Sequence, residues 1–117
     1  MKVLLILNDP PYGTERSYNA LRLAGSMVTK DESALVDVFL MGDAVACAKA
    51  GQQTPNGYYN LERMLGATVA HGAEVALCGT CMDARAIQED QLVDGTRRST
   101  LEELTKLSLA ADRVLVF

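Results

Sequence analysis

A chain of 117 residues with 49% hydrophobic content and a formal charge of −4 is large enough for one domain with a real core, and its scattered Lys and Arg, apart from Arg97-Arg98, argue against direct binding of nucleic acid. The apolar run Val3 to Leu7 meets Asn8-Asp9-Pro10 at once, which is too short for a signal peptide or a membrane span. With three cysteines, an odd count, a disulfide scaffold is not expected, and the reading is a single domain over residues 1–117, cytoplasmic, with reduced thiols.

In chain order, Val3 to Leu7 reads as a strand buried on both faces, and Pro10-Pro11-Tyr12-Gly13 breaks it. Leu21, Ala24 and Met27-Val28 recur at helical spacing, so a helix is predicted from Ser17 to about Thr29, closed by the polar turn Lys30 to Ser33. Ala34 to Met41 is the second strand. Gly42-Asp43 follows as a turn whose carboxylate is expected to cap a short helix from Ala44 to Lys49, and Gly51 to Gly57 is expected to be the mobile loop. Leu61, Met64, Leu65 and Thr68 line a second long helix closed by His71-Gly72, and Glu74 to Leu77 forms a third strand running into Cys78. Beyond it, Met82 to Ile87 is one or two helical turns and Leu92-Val93 a weak strand. Thr100 to Glu103 opens a helix with a capping-box pattern, with Leu101, Leu104, Leu107 and Ala111 assigned to its inner face, and Arg113 to Phe117 is a final strand.

Alternating strands and helices imply right-handed βαβ units, hence a mostly parallel sheet in a three-layer α/β/α sandwich. All strand-to-helix loops then share one edge, so Pro10 to Thr14, Gly42-Asp43 and Cys78 to Cys81 are expected to converge where such sheets bind ligands.

The chemistry concentrates in Cys78-Gly79-Thr80-Cys81-Met82-Asp83-Ala84-Arg85. A thiol at a strand end, just ahead of a helical turn, meets unpaired backbone N–H groups that favour the thiolate, and Gly79 leaves its approach open. Cys78 is therefore the candidate nucleophile toward a disulfide or a sulfane sulfur, and Arg85 adds positive charge if the turn folds back. The plainer explanation, that Cys78 and Cys81 are small core residues, competes with this, and for Cys47, set among alanines, it is preferred. A phosphatase-type loop fits poorly, because neither the six residues between Cys78 and Arg85 nor the three between Cys81 and Arg85 is the spacing that loop requires. Cys78, Cys81 and His71 do not complete a tetrahedral zinc set, so no metal is expected, and His71 is explained by a helix end. Neither a nucleophile elbow nor a glycine-rich phosphate loop is present.

Asn8 to Gly13, Ser17 to Ala24, Phe39 to Val45, Leu77 to Cys81 and Ala111 to Phe117 together resemble the DsrE/DsrF-like family, in particular its small YchN-like branch, essentially end to end. That resemblance implies a parallel five-stranded α/β/α fold, no cofactor, assembly into homo- or hetero-hexamers, and a cysteine carrying persulfide sulfur between donor and acceptor proteins. Cys78 occupies that cysteine's position. Relay subunits keep one cysteine at this loop, whereas this branch tends to show two, so Cys81 is assigned a resolving or tuning role. Tyr12, Gly13, Gly79, Thr80 and Arg85 are the expected binding residues, with Tyr12 and Gly13 shaping the entrance. A sulfur carrier or sulfurtransferase is the leading reading. A thiol–disulfide oxidoreductase using Cys78 and Cys81, and an oligomeric small-molecule-binding protein in which Cys78 is incidental, are the alternatives. Apolar residues in loops, among them Pro10, Pro11, Tyr12, Tyr58 and Tyr59, give an independent motive for a homo-oligomer.

Overall fold

The computed structural model describes every residue from Met1 to Phe117. Five strands, β1 (Lys2–Leu7), β2 (Leu35–Leu40), β3 (Glu74–Cys78), β4 (Thr96–Ser99) and β5 (Arg113–Val116), form one parallel sheet in the order β4-β3-β2-β1-β5. The helices are α1 (Arg16–Lys30), α2 (Leu61–Ala70), α3 (Gly79–Ala84) and α4 (Leu101–Ala110), with 3₁₀ segments at Gly42–Ala48 and Glu89–Gln91. No helix is long and apolar enough to cross a membrane.

The layering follows from the strand order. The chain steps in one direction from β1 through β4 and then returns across the sheet to β5. Right-handed crossovers therefore put α1 and α2 on one face and α4 on the other. The three central strands carry the aliphatic runs. Leu4, Leu5, Leu7, Phe39, Leu40 and Leu77 are fully buried, and each such side chain contributes about 1.5–3 kcal/mol of apolar transfer. Leu21 and Ala24 of α1 and Leu61 and Leu65 of α2 close the first face, while Leu104 is the buried residue of α4.

Three local expectations are corrected. The fourth strand is Thr96–Ser99 rather than Leu92-Val93: the Leu92 backbone bridges Lys49, and the Val93 N–H donates to the Ala48 carbonyl at 2.8 Å, which ties this segment to the 3₁₀ turn. Gly95 makes the displacement possible. Its φ of +87° starts the turn into β4, and a Cβ there would lie 2.6 Å from Val69 Cγ1, so only glycine fits both requirements. Asp43 caps nothing, because the helical segment begins at Gly42, two residues before the expected start at Ala44, with Met41 as its N-cap, and the Asp43 carboxylate is taken by Arg85. Leu101 does not face inward: Thr100 caps α4 at the end of the sheet, so the first turn overhangs it, and Leu101 is 69% exposed. The loop from Gly51 to Gly57 is anchored at its start, where the Glu62 carboxylate accepts from the Gly51 and Gln52 N–H groups and the Gln52 amide donates to the Cys47 and Lys49 carbonyls.

Candidate functional site

In a parallel sheet all strands end at one edge, which brings the loops after β1, β2 and β3 to the same side of the molecule. Register then decides which side chains share a face. Ser99 lies opposite Cys78, and Arg97 opposite Ala76, which itself pairs with Phe39. Glu103 of α4 accepts from both Arg97 and Ser99, so this row faces α4. Cys78 thus points to the face that α4 covers, at the point where α4 begins.

The result is a cavity of about 350 Å³ lined by Phe39 and Met41 on one wall, Cys78 to Cys81 on the second, and Arg98, Ser99, Thr100 and Leu101 on the third. Cys78 is 9% exposed within it. The sulfur is the N-cap of α3. The Cys81 N–H donates to Cys78 Sγ at 3.4 Å, and Thr80 Oγ1 lies 3.3 Å from the same sulfur. Burial alone would push the Cys78 thiol up. The adjoining Cys81 thiol, the Thr80 hydroxyl and the two backbone N–H groups together outweigh it and hold Cys78 below the ordinary thiol value. Cys81 is pushed the other way, by burial first and then by donating toward Cys78 and facing its negative charge; the Gly42 backbone and Arg85 offset this only in part. The two thiols are free and titrate as a pair, with Cys78 losing its proton first.

Alkylation by iodoacetamide, resolved by peptide mass spectrometry across pH, is therefore expected to reach half its maximal rate at a lower pH for Cys78 than for Cys81. Thr80→Val removes one donor and is expected to move the Cys78 midpoint upward; an unchanged midpoint would mean that the hydroxyl does not support the thiolate.

Cys47 stands apart. It is fully buried beside Ser17 and the Asp9 carbonyl, and burial pushes its thiol up to about 12. Because the folded chain holds this proton more tightly than the unfolded chain, the associated stability is complete below the unfolded thiol pKa and drains as pH rises toward 12. The expected loss is about 1.4 kcal/mol per pH unit in that window. Urea unfolding at pH 8 and pH 11 should show a smaller alkaline loss in Cys47→Ala than in the parent, and equal losses would remove Cys47 as the cause.

Among the residues expected to bind, Gly79 and Thr80 line the cavity with the two cysteines. Arg85 does not. Its Nε and Nη2 both donate to Asp43 Oδ1, at 3.0 and 2.9 Å, and its Nη1 donates to the Cys81 carbonyl at 3.0 Å, pinning the end of α3 to the 3₁₀ turn. Tyr12 and Gly13 share the edge but not the cavity. The Tyr12 hydroxyl donates to Gln52 Oε1 at 2.6 Å and accepts from the Leu61 N–H, and its ring stacks on Tyr59, which packs in turn against Tyr18. The hydroxyl is drawn to the start of α2 because that N–H needs an acceptor. Of the loop aromatics, only Tyr58 is strongly exposed, and Tyr59 is partly buried against the core.

Sequence reasoning missed Arg98, the one cationic residue of the lining. Its Nη1 and Nη2 donate to Asp83 Oδ1 and Oδ2 at 2.7 and 2.9 Å. A Cβ on Gly79 would lie 2.8, 2.8 and 2.9 Å from its Cζ, Nε and Nη2, so the guanidinium sits face-on over Gly79, next to Cys78. The clue was the adjacent pair Arg97-Arg98, the single exception to scattered basic charge. Reading it required knowing that Thr96–Ser99 is the strand beside β3.

Comparison with known proteins places this arrangement. The chain is 40% identical to the protein YchN of Escherichia coli K12 over 116 residues, covering 99% of this chain and 98% of YchN. It is 34% identical to the protein MJ0989 of Methanocaldococcus jannaschii over the whole of both chains. The crystal structure of E. coli YchN superposes with a TM-score of 0.94 over 99% of this chain and 98% of that one. MTH1491 of Methanobacterium thermoautotrophicum, at 13% identity and a TM-score of 0.77 over 99% of this chain and 97% of that one, shares the fold. The family model for the DsrE/DsrF-like family matches residues 1–117, and the chain belongs to that family.

Proposed function

We propose that the protein is a sulfur carrier or sulfurtransferase in which Cys78 accepts a sulfane sulfur and passes it on. The observation that carries this reading is a buried-edge thiol whose proton is loosened by donors aimed at the sulfur, set in a cavity with room for a second reactant. Membership in the DsrE/DsrF-like family supports it. In loading, the Cys78 thiolate attacks the outer sulfur of a persulfide R–S–SH. A bond forms between Cys78 Sγ and that sulfur, the donor S–S bond breaks, and RS⁻ leaves. In hand-off, an acceptor thiolate takes the same sulfur and Cys78 departs as thiolate. The donors around Cys78 then act twice, stabilising the attacking and the departing anion.

Cys81 gives the loaded state a second exit. Its thiolate can attack Cys78 Sγ of the persulfide, releasing HS⁻ and leaving a Cys78–Cys81 disulfide that needs two electrons from a reductant before another cycle. Burial, the first cause of the raised Cys81 pKa, persists when Cys78 carries sulfur and disfavours the Cys81 thiolate, which slows this exit and lengthens the life of the persulfide. The same asymmetric pair is what favours the second reading, a thiol–disulfide oxidoreductase with Cys78 attacking and Cys81 resolving. Sulfur donor and acceptor proteins, a homohexamer and a cytoplasmic setting belong to the sulfur-carrier proposal.

The test is transfer. Reduced protein is loaded with a persulfide, desalted and mixed with an acceptor thiol. The sulfur-carrier reading expects the sulfane sulfur to leave the protein and appear on the acceptor in near-stoichiometric yield. Sulfide release with a protein disulfide and no sulfur on the acceptor would favour the oxidoreductase.

A further inference from the structure

We infer that the Cys78 cavity takes a low-molecular-weight persulfide bearing an anionic group such as a carboxylate, and that Arg98 selects for that anion. The inference rests on the sulfur-carrier reading and names the donor class for it.

Three features of the cavity carry the argument. First, its size suits a small organic molecule: about 350 Å³ is at the lower end of small-ligand sites and more than one inserted cysteine persulfide side chain would fill. Second, its walls are unevenly divided. Phe39, Met41 and Leu101 present apolar surface to a carbon skeleton, and Arg98 is the only cationic side chain in the lining. Third, the guanidinium is held in place with donors to spare. Asp83 occupies the Nη1–Nη2 end, no group of the chain accepts from Nε, and the plane is laid over Gly79 beside the nucleophile. A guanidinium fixed at one end and open along its Nε edge binds a carboxylate through charge-assisted hydrogen bonds while losing little side-chain freedom.

The two pairs that flank α3 make the contrast clear. Arg85 has its Nε and both terminal nitrogens engaged, by Asp43 and the Cys81 carbonyl, and stands outside the cavity. Arg98 keeps an open edge and lines it. Gly79 is what permits this placement, since a Cβ there would lie 2.8 to 2.9 Å from the guanidinium, which would have to shift. A donor so bound would have its anionic group at Arg98, its carbon chain along the apolar wall and its outer sulfur toward Cys78. The transfer step adds nothing to the chemistry above: the Cys78 Sγ–S bond forms, the donor S–S bond breaks, and the donor thiolate leaves with its carboxylate unchanged.

The experiment compares the persulfides of 3-mercaptopropionate and 2-mercaptoethanol, which differ in the carboxylate, as donors to the reduced full chain. Loading is followed by intact-mass spectrometry after quenching with an alkylating agent. The parent is expected to load faster from the carboxylate donor. In Arg98→Gln the ratio of the two rates should fall by about fivefold, the factor set by one partly screened charge contact. Gly79→Ala, which displaces the guanidinium sterically, should lower the same ratio, and raising the salt concentration should lower it in the parent. A ratio near unity in the parent, or one unchanged in both variants while loading continues, overturns the anionic small-molecule donor and points to a protein-borne persulfide. Absence of loading from either donor, in parent and variants alike, would instead count against the sulfur-carrier reading.

Discussion

Replacing Cys78 with serine is expected to reduce persulfide loading by at least about two orders of magnitude, because a serine hydroxyl is neither ionised nor comparably nucleophilic at neutral pH. The fold should survive. Cys78 sits at a strand end, 9% exposed, and the change is nearly isosteric, so the loss of stability should stay within about 1 kcal/mol. Cys81→Ser is expected to act in the opposite direction. The Cys81 backbone N–H still reaches Cys78 Sγ, so the nucleophile stays capped, but the thiol that could expel the outer sulfur as HS⁻ is gone. The loaded form should therefore accumulate and outlast that of the parent. Intact-mass spectrometry over time distinguishes these outcomes. Undiminished loading in Cys78→Ser would transfer the chemistry to another residue and leave the cavity without its assigned nucleophile.

The second large effect falls on stability. Phe39 lies near the carboxyl end of β2, fully buried, paired on one side with Ile6 and on the other with Ala76, and it forms a wall of the cavity. Phe39→Ala removes the largest fully buried side chain and enlarges a void that already exists on one side. The expected cost is about 3–5 kcal/mol, read as a lower urea midpoint at unchanged slope. Against the roughly 5–15 kcal/mol that holds a domain of this size together, that is a large share. Phe39→Leu keeps most of the contact and should cost about 1.5 kcal/mol or less. A loss in Phe39→Ala no greater than in Phe39→Leu would mean that the ring is not packed as described. The two residues tie stability and chemistry together, since the side chain that seals the core also shapes the wall facing the sulfur.

What could be read from the sequence follows a physical division. The strands buried on both faces, β1, β2 and β3, announce themselves as continuous aliphatic runs, and the placement of Cys78 at the end of β3 follows directly from Glu74 to Leu77. The long helices are equally plain from their apolar spacing. Thr100 was recognisable as a cap, and its side chain does accept from the Glu103 N–H, although the Glu103 carboxylate turns to Arg97 and Ser99 instead of closing the box. The edge strand β4 was not legible. Thr96-Arg97-Arg98-Ser99 has no apolar alternation, because one face of it reaches α4 through polar groups and the other carries Arg98 to Asp83. The nearby apolar pair Leu92-Val93 drew the assignment away. That single misplacement hid Arg98, since only the pairing of Arg98 with Leu77 brings it beside the Cys78 loop. Tyr12 and Arg85 failed for a related reason: spacing locates a loop at an edge, but the direction of a long polar side chain depends on which acceptor or donor lies nearest. For Arg85 that acceptor is Asp43, and for Tyr12 it is Gln52.

The measurement that tests the central claim most directly is peptide-resolved mass spectrometry of the reduced parent chain after brief exposure to a persulfide donor and an alkylating quench. A single added sulfur is expected on the Cys78 peptide, located at Cys78, with Cys47 unmodified. Added sulfur distributed over all three cysteines, or only a Cys78–Cys81 disulfide at the earliest time point, would contradict it.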